Sequence, residues 1–255
     1  MRSSLLTQLS VILVTALFPG LMLAQLAPDF HPPQASCCLP GAAQHLADQL
    51  QDWNQLGRYH QDDQRLQAQP SSPGRVVFMG DSITDGWNLA ESFPTKPYVN
   101  RGISGQTTPQ MLVRMFPDVI DLHPAALIIL AGTNDIAGNT GPETLNMIEE
   151  NLQGMTELAH KHGIKVILCS LLPVSDYTEH KQTARRPPAD ILKLNAWMKQ
   201  YAGESQAVFA DYYSALVDAQ GMLKEGYSDD GLHPNAKGYT LMTPVAEARI
   251  ETALK

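Results

Sequence analysis

A serine acts as a nucleophile near neutral pH only when a base takes its proton, and that base needs a third group to fix its tautomer. The chain carries one such set. Ser82 lies in the run from Arg75 to Gly86, RVVFMGDSITDG, which reads as a buried strand ending in a glycine turn with the serine on its tip. Near the other end, Asp230-Gly-Leu-His233-Pro234 offers a carboxylate and an imidazole three residues apart. Together these residue types point to ester hydrolysis as the first hypothesis.

Each piece also has a plainer reading. Gly80 and Gly86 bracket the serine turn, and the small residue lets the chain turn sharply so that the Ser82 N–H faces a substrate. The Gly-x-Ser-x-Gly elbow of ordinary lipases is absent, because Thr84 takes its last glycine's place. A Gly-Asp-Ser triplet alone is equally a surface turn. An acyl-transfer transition state needs donors aimed at its oxyanion. The Gly105 N–H and the Asn134 side-chain amide could join the Ser82 N–H in that task; alternatively, Gly105 permits a turn and Asn134 caps a segment. His233 precedes Pro234, which biases it toward an extended conformation. Asp230-Gly231 favours a tight turn that folds the carboxylate back toward the ring. A satisfied surface pair is the competing reading.

The elements that must position these residues follow from hydrophobic patterning. Apolar residues at Leu46, Leu50, Trp53 and Leu56 have the spacing of one helical face and predict a helix over Gln44–Gln67, as core cover or as a lid. Beyond Pro70–Gly74, strands and helices alternate. Strands are expected at Arg75–Met79, Tyr98–Asn100, Ala125–Ala131, Ile164–Leu171 and Ala207–Ala210. Helices are expected from an N-cap at Thr108 with Pro109 opening the first turn, and at Pro142–Lys161, Asp190–Tyr201 and Pro234–Leu254, the last kinked at Pro244. Short apolar strands separated by helices indicate a parallel sheet covered on both faces, with ligands at the carboxyl ends of the strands. Ser82, Gly102–Gly105, Gly132–Asp135, and Asp230 with His233 all follow expected strands.

These ordered blocks resemble the SGNH hydrolases, also called GDSL esterases and lipases. The family's first block is similar to Gly80-Asp81-Ser82-Ile83, with Ile83 where leucine is usual, its second to Asn100–Gly105, its third to Gly132–Asp135 and its fifth to Asp230–His233. The resemblance covers about residues 75–255. It implies an α/β fold, a flavodoxin-like three-layer α/β/α sandwich with about five parallel strands. It also implies Ser82 as nucleophile, His233 as base, Asp230 as its orienter, and Ser82, Gly105 and Asn134 as the oxyanion hole. The block spacing looks closest to the platelet-activating-factor acetylhydrolase-like branch. Gln106 stands where that branch often has aspartate, so the substrate is not carried over.

The bulk numbers bound the rest. With 255 residues and 44% hydrophobic content, one domain of 75–255 is expected behind a 25–74 linker and helical extension. A net charge of −8 without a basic cluster argues against nucleic acid or an anionic membrane surface as partner. Residues 1–24 read as a signal peptide, with Arg2 ahead of an apolar run ending near Ala24, or else as an uncleaved anchor; either predicts export, and the first leaves no span after cleavage. Cys37 and Cys38 are adjacent and poorly placed to bridge, and Cys169 reads as a buried thiol. His160-x-His162 reads as surface, so no metal and no organic cofactor are expected. The loop from Pro173 to Pro188, with Tyr177, His180 and Arg185-Arg186, is the expected pocket wall together with Trp87. Expected substrates are small-molecule, glycan or lipid esters; the oligomeric state is not readable. A non-catalytic module of the same fold and a phosphate-binding loop are the competing classes. The second lacks a P-loop lysine and carries Asp81 and Asp85 instead.

Overall fold

Residues 50–70 and 72–255 are described by a computed structural model. The apolar leader, the linker, Cys37-Cys38 and the start of the helix expected from Gln44 lie outside the described residues. Five short strands form the sheet: β1 (Val76–Gly80), β2 (Tyr98–Gly102), β3 (Ala126–Leu130), β4 (Lys165–Cys169) and β5 (Val208–Ala210). All pair in parallel, in the order β2-β1-β3-β4-β5. Every residue of β1 and β3 is buried, as continuous apolar strands between two helical layers must be. In register, Gly80 faces Gly102 on one side and Leu130 on the other, so β2, β1 and β3 end level. The strand order reverses between β1 and β3, and at such a switch point the loops diverge and open a crevice.

The helices are α1 (His60–Gln67), α2 (Ser82–Asp85), α3 (Leu89–Ser92), α4 (Thr108–Val113), α5 (Met115–Asp118), α6 (Thr133–Ile136), α7 (Leu145–Lys161), α8 (Pro188–Glu204), α9 (Tyr212–Leu216) and α10 (Ala236–Ala253). α7 and α8 touch each other and β4, with α4 against α7. α10 touches β4, β5 and α3, completing a three-layer α/β/α sandwich. None of these helices is long and apolar enough to cross a membrane.

Two expectations are corrected by local chemistry. The helix over Gln44–Gln67 is not continuous: residues 52–59 are not helical, and α1 begins at His60. The Asp52 carboxylate accepts from the Leu56 and Gly57 amides, both at 2.8 Å, and Gln55 takes φ +57°, so the backbone donors leave the helical ladder. The expected apolar face is accordingly exposed at Leu50, Trp53 and Leu56. The N-cap of α4 is Thr107 rather than Thr108, with the Thr107 N–H donating to Gln110 Oε1 at 3.1 Å. Thr108 is drawn inside because its N–H and hydroxyl both donate to the buried Asp135 carboxylate.

Candidate active site

The site starts where β1 stops. Asp81 caps α2, its Oδ1 accepting from the Ile83 N–H at 2.9 Å, which sets the turn that lifts Ser82 out of the sheet. Close packing beneath this turn requires the two strand-end glycines. A Cβ on Gly102 would fall 2.1 Å from the Asp85 nitrogen, and one on Gly80 would fall 2.1 Å from Thr84 Oγ1. Helix α2 therefore lies directly on the ends of β1 and β2.

Ser82 Oγ is 2.8 Å from His233 Nε2, across 151 positions of sequence. His233 Nδ1 is 2.6 Å from Asp230 Oδ2. The other Asp230 oxygen accepts from the Leu232 N–H at 2.9 Å, the His233 N–H at 2.8 Å and the Ser228 hydroxyl at 3.1 Å. Partial burial raises the Asp230 pKa, but the His233 ring and these amides outweigh it and bring it down to about 2. A charged Asp230 can only accept, so Nδ1 carries the ring proton and Nε2 offers its lone pair to the serine hydroxyl. The next turn anchors the loop: Asn235 caps α10 by accepting from the Lys237 and Gly238 amides. Tyr239 on α10 donates to the Ile83 carbonyl of α2 at 2.8 Å.

Gly105 and Asn134 stand at the ends of the neighbouring strands. Gly105 has φ +82°, a conformation glycine adopts without strain. Asn134 on α6 is buried; its amide nitrogen donates to the Gln106 carbonyl at 3.0 Å, and its oxygen accepts from Arg186 at 3.1 Å. An amide carries two N–H hydrogens, so one remains for a ligand. Among the described residues, neither the Ser82 N–H nor the Gly105 N–H reaches a protein acceptor. Three donors thus follow the ends of β1, β2 and β3, on α2, in the Gly105 loop and on α6.

Trp87 is 3% exposed, stacked on Tyr239 and edge-on to Phe78, with its Nε1–H donating to Ser92. It lines a cleft beside the site. Tyr177 is partly exposed and donates to the Ser228 carbonyl at 3.1 Å, next to the Asp230 loop.

Several residues that build the site carried no motif. Buried Arg114 donates to Gln106 Oε1, Asp118 and the carbonyls of Arg101 and Gly80, and so ties the ends of β1 and β2 to the Gly105 loop. The available signal was its spacing: Met111, Arg114 and Met115 form an i, i+3, i+4 stripe, and a cation on such a stripe marks a buried polar network. Gln106 explains its own side chain. Its amide accepts from Arg114 at 2.7 Å and donates to the Asn54 carbonyl at 2.9 Å, and an aspartate could not make the second bond. Gln110 donates likewise to the Trp53 carbonyl, so residues 53–54 are fastened against this loop.

The family model described as GDSL-like Lipase/Acylhydrolase matches residues 78–241. The chain is similar to the solved structure of a candidate acylhydrolase of Bacteroides fragilis, with 40% identity and a TM-score of 0.75 over 80% of this chain and 99% of that one. It is also similar to a candidate platelet activating factor of Streptococcus pneumonia, at 27% identity and a TM-score of 0.69 over 84% of this chain and 100% of that one. Among curated proteins, Esterase TesA of Pseudomonas aeruginosa is 25% identical over 187 residues, 66% of this chain and 84% of its own. A family match spanning more than half the residues, over the sheet and helices just described, settles the membership: the chain belongs to the GDSL-like lipase and acylhydrolase family, and it is a carboxylic-ester hydrolase.

Proposed function

We propose that the protein hydrolyses esters through an acyl-enzyme on Ser82. His233 takes the hydroxyl proton as Oγ attacks the ester carbonyl, and returns it to the departing alcohol. Water then attacks the acyl-enzyme with His233 again as base, and free acid leaves. Asp230 holds the ring and stabilises its charged form. The N–H groups of Ser82 and Gly105 and the Asn134 amide receive the oxyanion in both steps. The observation that carries this reading is the unbroken chain from Ser82 Oγ to His233 to Asp230, at 2.8 and 2.6 Å.

The substrates we infer carry short acyl groups, such as acetyl on glycans or small molecules. A cleft of about 720 Å³ reaches Gly86 and Pro234, the neighbours of the Ser82 helix and of His233. Glu91, Asp229 and Glu247 line it, with no Lys or Arg. Carboxylates in a cleft also lined by Trp87 and Tyr239 suit a hydroxyl-rich alcohol and repel a phosphate headgroup. A second reading, lysophospholipase or short-chain lipid esterase, is favoured by the exposed Trp53, whose carbonyl accepts from Gln110 of α4, just after the Gly105 loop. The apolar run ending near Ala24 supports an exported enzyme.

A serine-directed organophosphorus probe tests the mechanism: wild type is labelled and Ser82→Ala is not, with hydrolysis of p-nitrophenyl acetate lowered at least about 10⁴-fold. Retained labelling or turnover in Ser82→Ala overturns it. A p-nitrophenyl series from acetate to decanoate, run beside acetylated sugars, separates the two substrate readings. Rising activity with chain length favours the lipid ester.

A further inference from the structure

Two adjacent arginines reach the site from the loop between β4 and α8. Arg186 is 5% exposed and spends its guanidinium on three neutral acceptors, each at 3.1 Å: Thr133 Oγ1, Gln182 Oε1 and Asn134 Oδ1. Among the described residues, no carboxylate lies within ion-pair distance of it; the buried Arg101 and Arg114, by contrast, are each paired with an aspartate. Burial and Arg185 lower its pKa and Asp81 and Asp230 raise it, leaving it at about 10, so it is a cation at neutral pH. A buried cation with neutral partners disfavours folding. Its placement makes sense where negative charge develops during the reaction.

The Asn134 contact has a directional consequence. Its oxygen is held by Arg186, so the nitrogen, the only end able to donate, is turned toward the Gly105–Gln106 loop, where it meets the Gln106 carbonyl. Arg185 acts on the other side of the same loop. It donates to the Ala137 carbonyl at 3.1 Å and to Asn139 Oδ1 at 3.0 Å, and Asn139 Nδ2 donates to the Gly105 carbonyl at 3.1 Å. That bond fixes the peptide leaving Gly105, a residue with little intrinsic preference among its conformations. Gln182 extends the network by donating to the Asp230 carbonyl at 3.3 Å.

We propose that Arg185 and Arg186 are positioning residues for the oxyanion hole, Arg186 acting through Asn134 and Arg185 through Asn139 on Gly105. The proposal rests on the reading of Gly105 and Asn134 as oxyanion donors.

The test is a double-mutant cycle on hydrolysis of p-nitrophenyl acetate, with wild type, Asn134→Ala, Arg186→Met and the double variant. Arg186→Met is expected to lower kcat about 10–10²-fold with KM changed less than about 3-fold, and Arg186→Lys to recover part of the loss. In the Asn134→Ala background, Arg186→Met should lower kcat by less than about 3-fold more, because the group it positions is gone. An unchanged kcat in Arg186→Met, or losses that multiply in full, overturns the proposal. Should Arg186→Met lack a cooperative melt, the exposed Asn139→Ala decides: about a 3–10-fold fall in kcat at constant KM is expected, and wild-type kcat overturns the proposal. Failure of the underlying reading looks different. There Ser82→Ala or Asn134→Ala retains activity, whereas failure of the positioning proposal leaves both of those impaired.

Discussion

At the scale of single residues, the proposed chemistry divides between a proton path and a set of donors. Asn134→Ala removes one donor while leaving Ser82, His233 and Asp230 in place, so kcat should fall roughly 10²–10³-fold with little change in KM. Unchanged turnover would remove Asn134 from the hole. Acidification tests the proton path. With Asp230 at about 2, its carboxylate stays charged throughout the working range and cannot produce an acid limb. Loss of activity on lowering the pH from about 8 to 5 is expected from a histidine base. Buried Asp81 also lies near the serine: burial raises it, the Ile83 N–H, His233 and Arg186 oppose, and it sits at about 6. Asp81→Asn should therefore keep the acid limb, and a flat profile in that variant transfers the limb to Asp81.

At the scale of elements, what places Ser82 is the seating of α2 on two strand ends. No side chain fits at Gly102, since the atoms in the way are the backbone of Thr84 and Asp85. Gly102→Ala must push α2 off the end of β2 and with it Ser82 from His233. The expected loss is about 2–4 kcal/mol in denaturant melts, with a fall in kcat. Wild-type stability in that variant would mean the contact relaxes freely. On the far side of α2, the Tyr239 bond to the Ile83 carbonyl ties it to α10, whose first residues follow His233 directly. Ser82 and His233 are thus joined twice, once through their own hydrogen bond and once through the helices that carry or follow them.

At the scale of the whole molecule, buried carboxylates predict a pH dependence of stability. Asp135 and Glu143 are both buried, and Asp135 Oδ2 and Glu143 Oε2 have no other partner, so one shared proton satisfies them. Burial, with the Asp135 charge added, pushes Glu143 up to about 8; burial alone dominates at Asp135, at about 6. Asp81 is raised to about 6 as well. In the native state these acids hold protons that the unfolded chain releases near pH 4. Their contribution is therefore full below about pH 4 and is lost as the pH rises through 6 and then 8. Asp230 works oppositely, but only as the pH falls through 4 toward 2. Tm is thus expected to fall between about pH 5 and 9, and Glu143→Gln to flatten the upper part of that fall. Calorimetry at stepped pH gives the answer, and a Tm that climbs across this range contradicts the shared proton.

The apolar runs at 76–80, 126–130 and 166–169 read as strands buried on both faces, because a continuous apolar stretch of four or five residues has no polar side to offer water. Their alternation with helices dictated a parallel sheet, and the polar blocks after each strand then had to gather at one edge. That much is written in residue type and order, because hydrophobic burial and turn preferences act locally. Other features depend on partners far apart in the chain. The helix expected over Gln44–Gln67 is interrupted after Gln51 because Asp52 captures amides that the ladder needed. Arg114 and Arg186, two surface-type residues by composition, become buried beside Gln106 and Asn134. Spacing can propose that Asp230 and His233 form a pair, yet the 2.8 Å between Ser82 and His233 exists only once α2 and α10 have docked. Local sequence sets which groups the chain carries; the packing of the sheet decides which of them meet, since a hydrogen bond is gained only within about 3 Å.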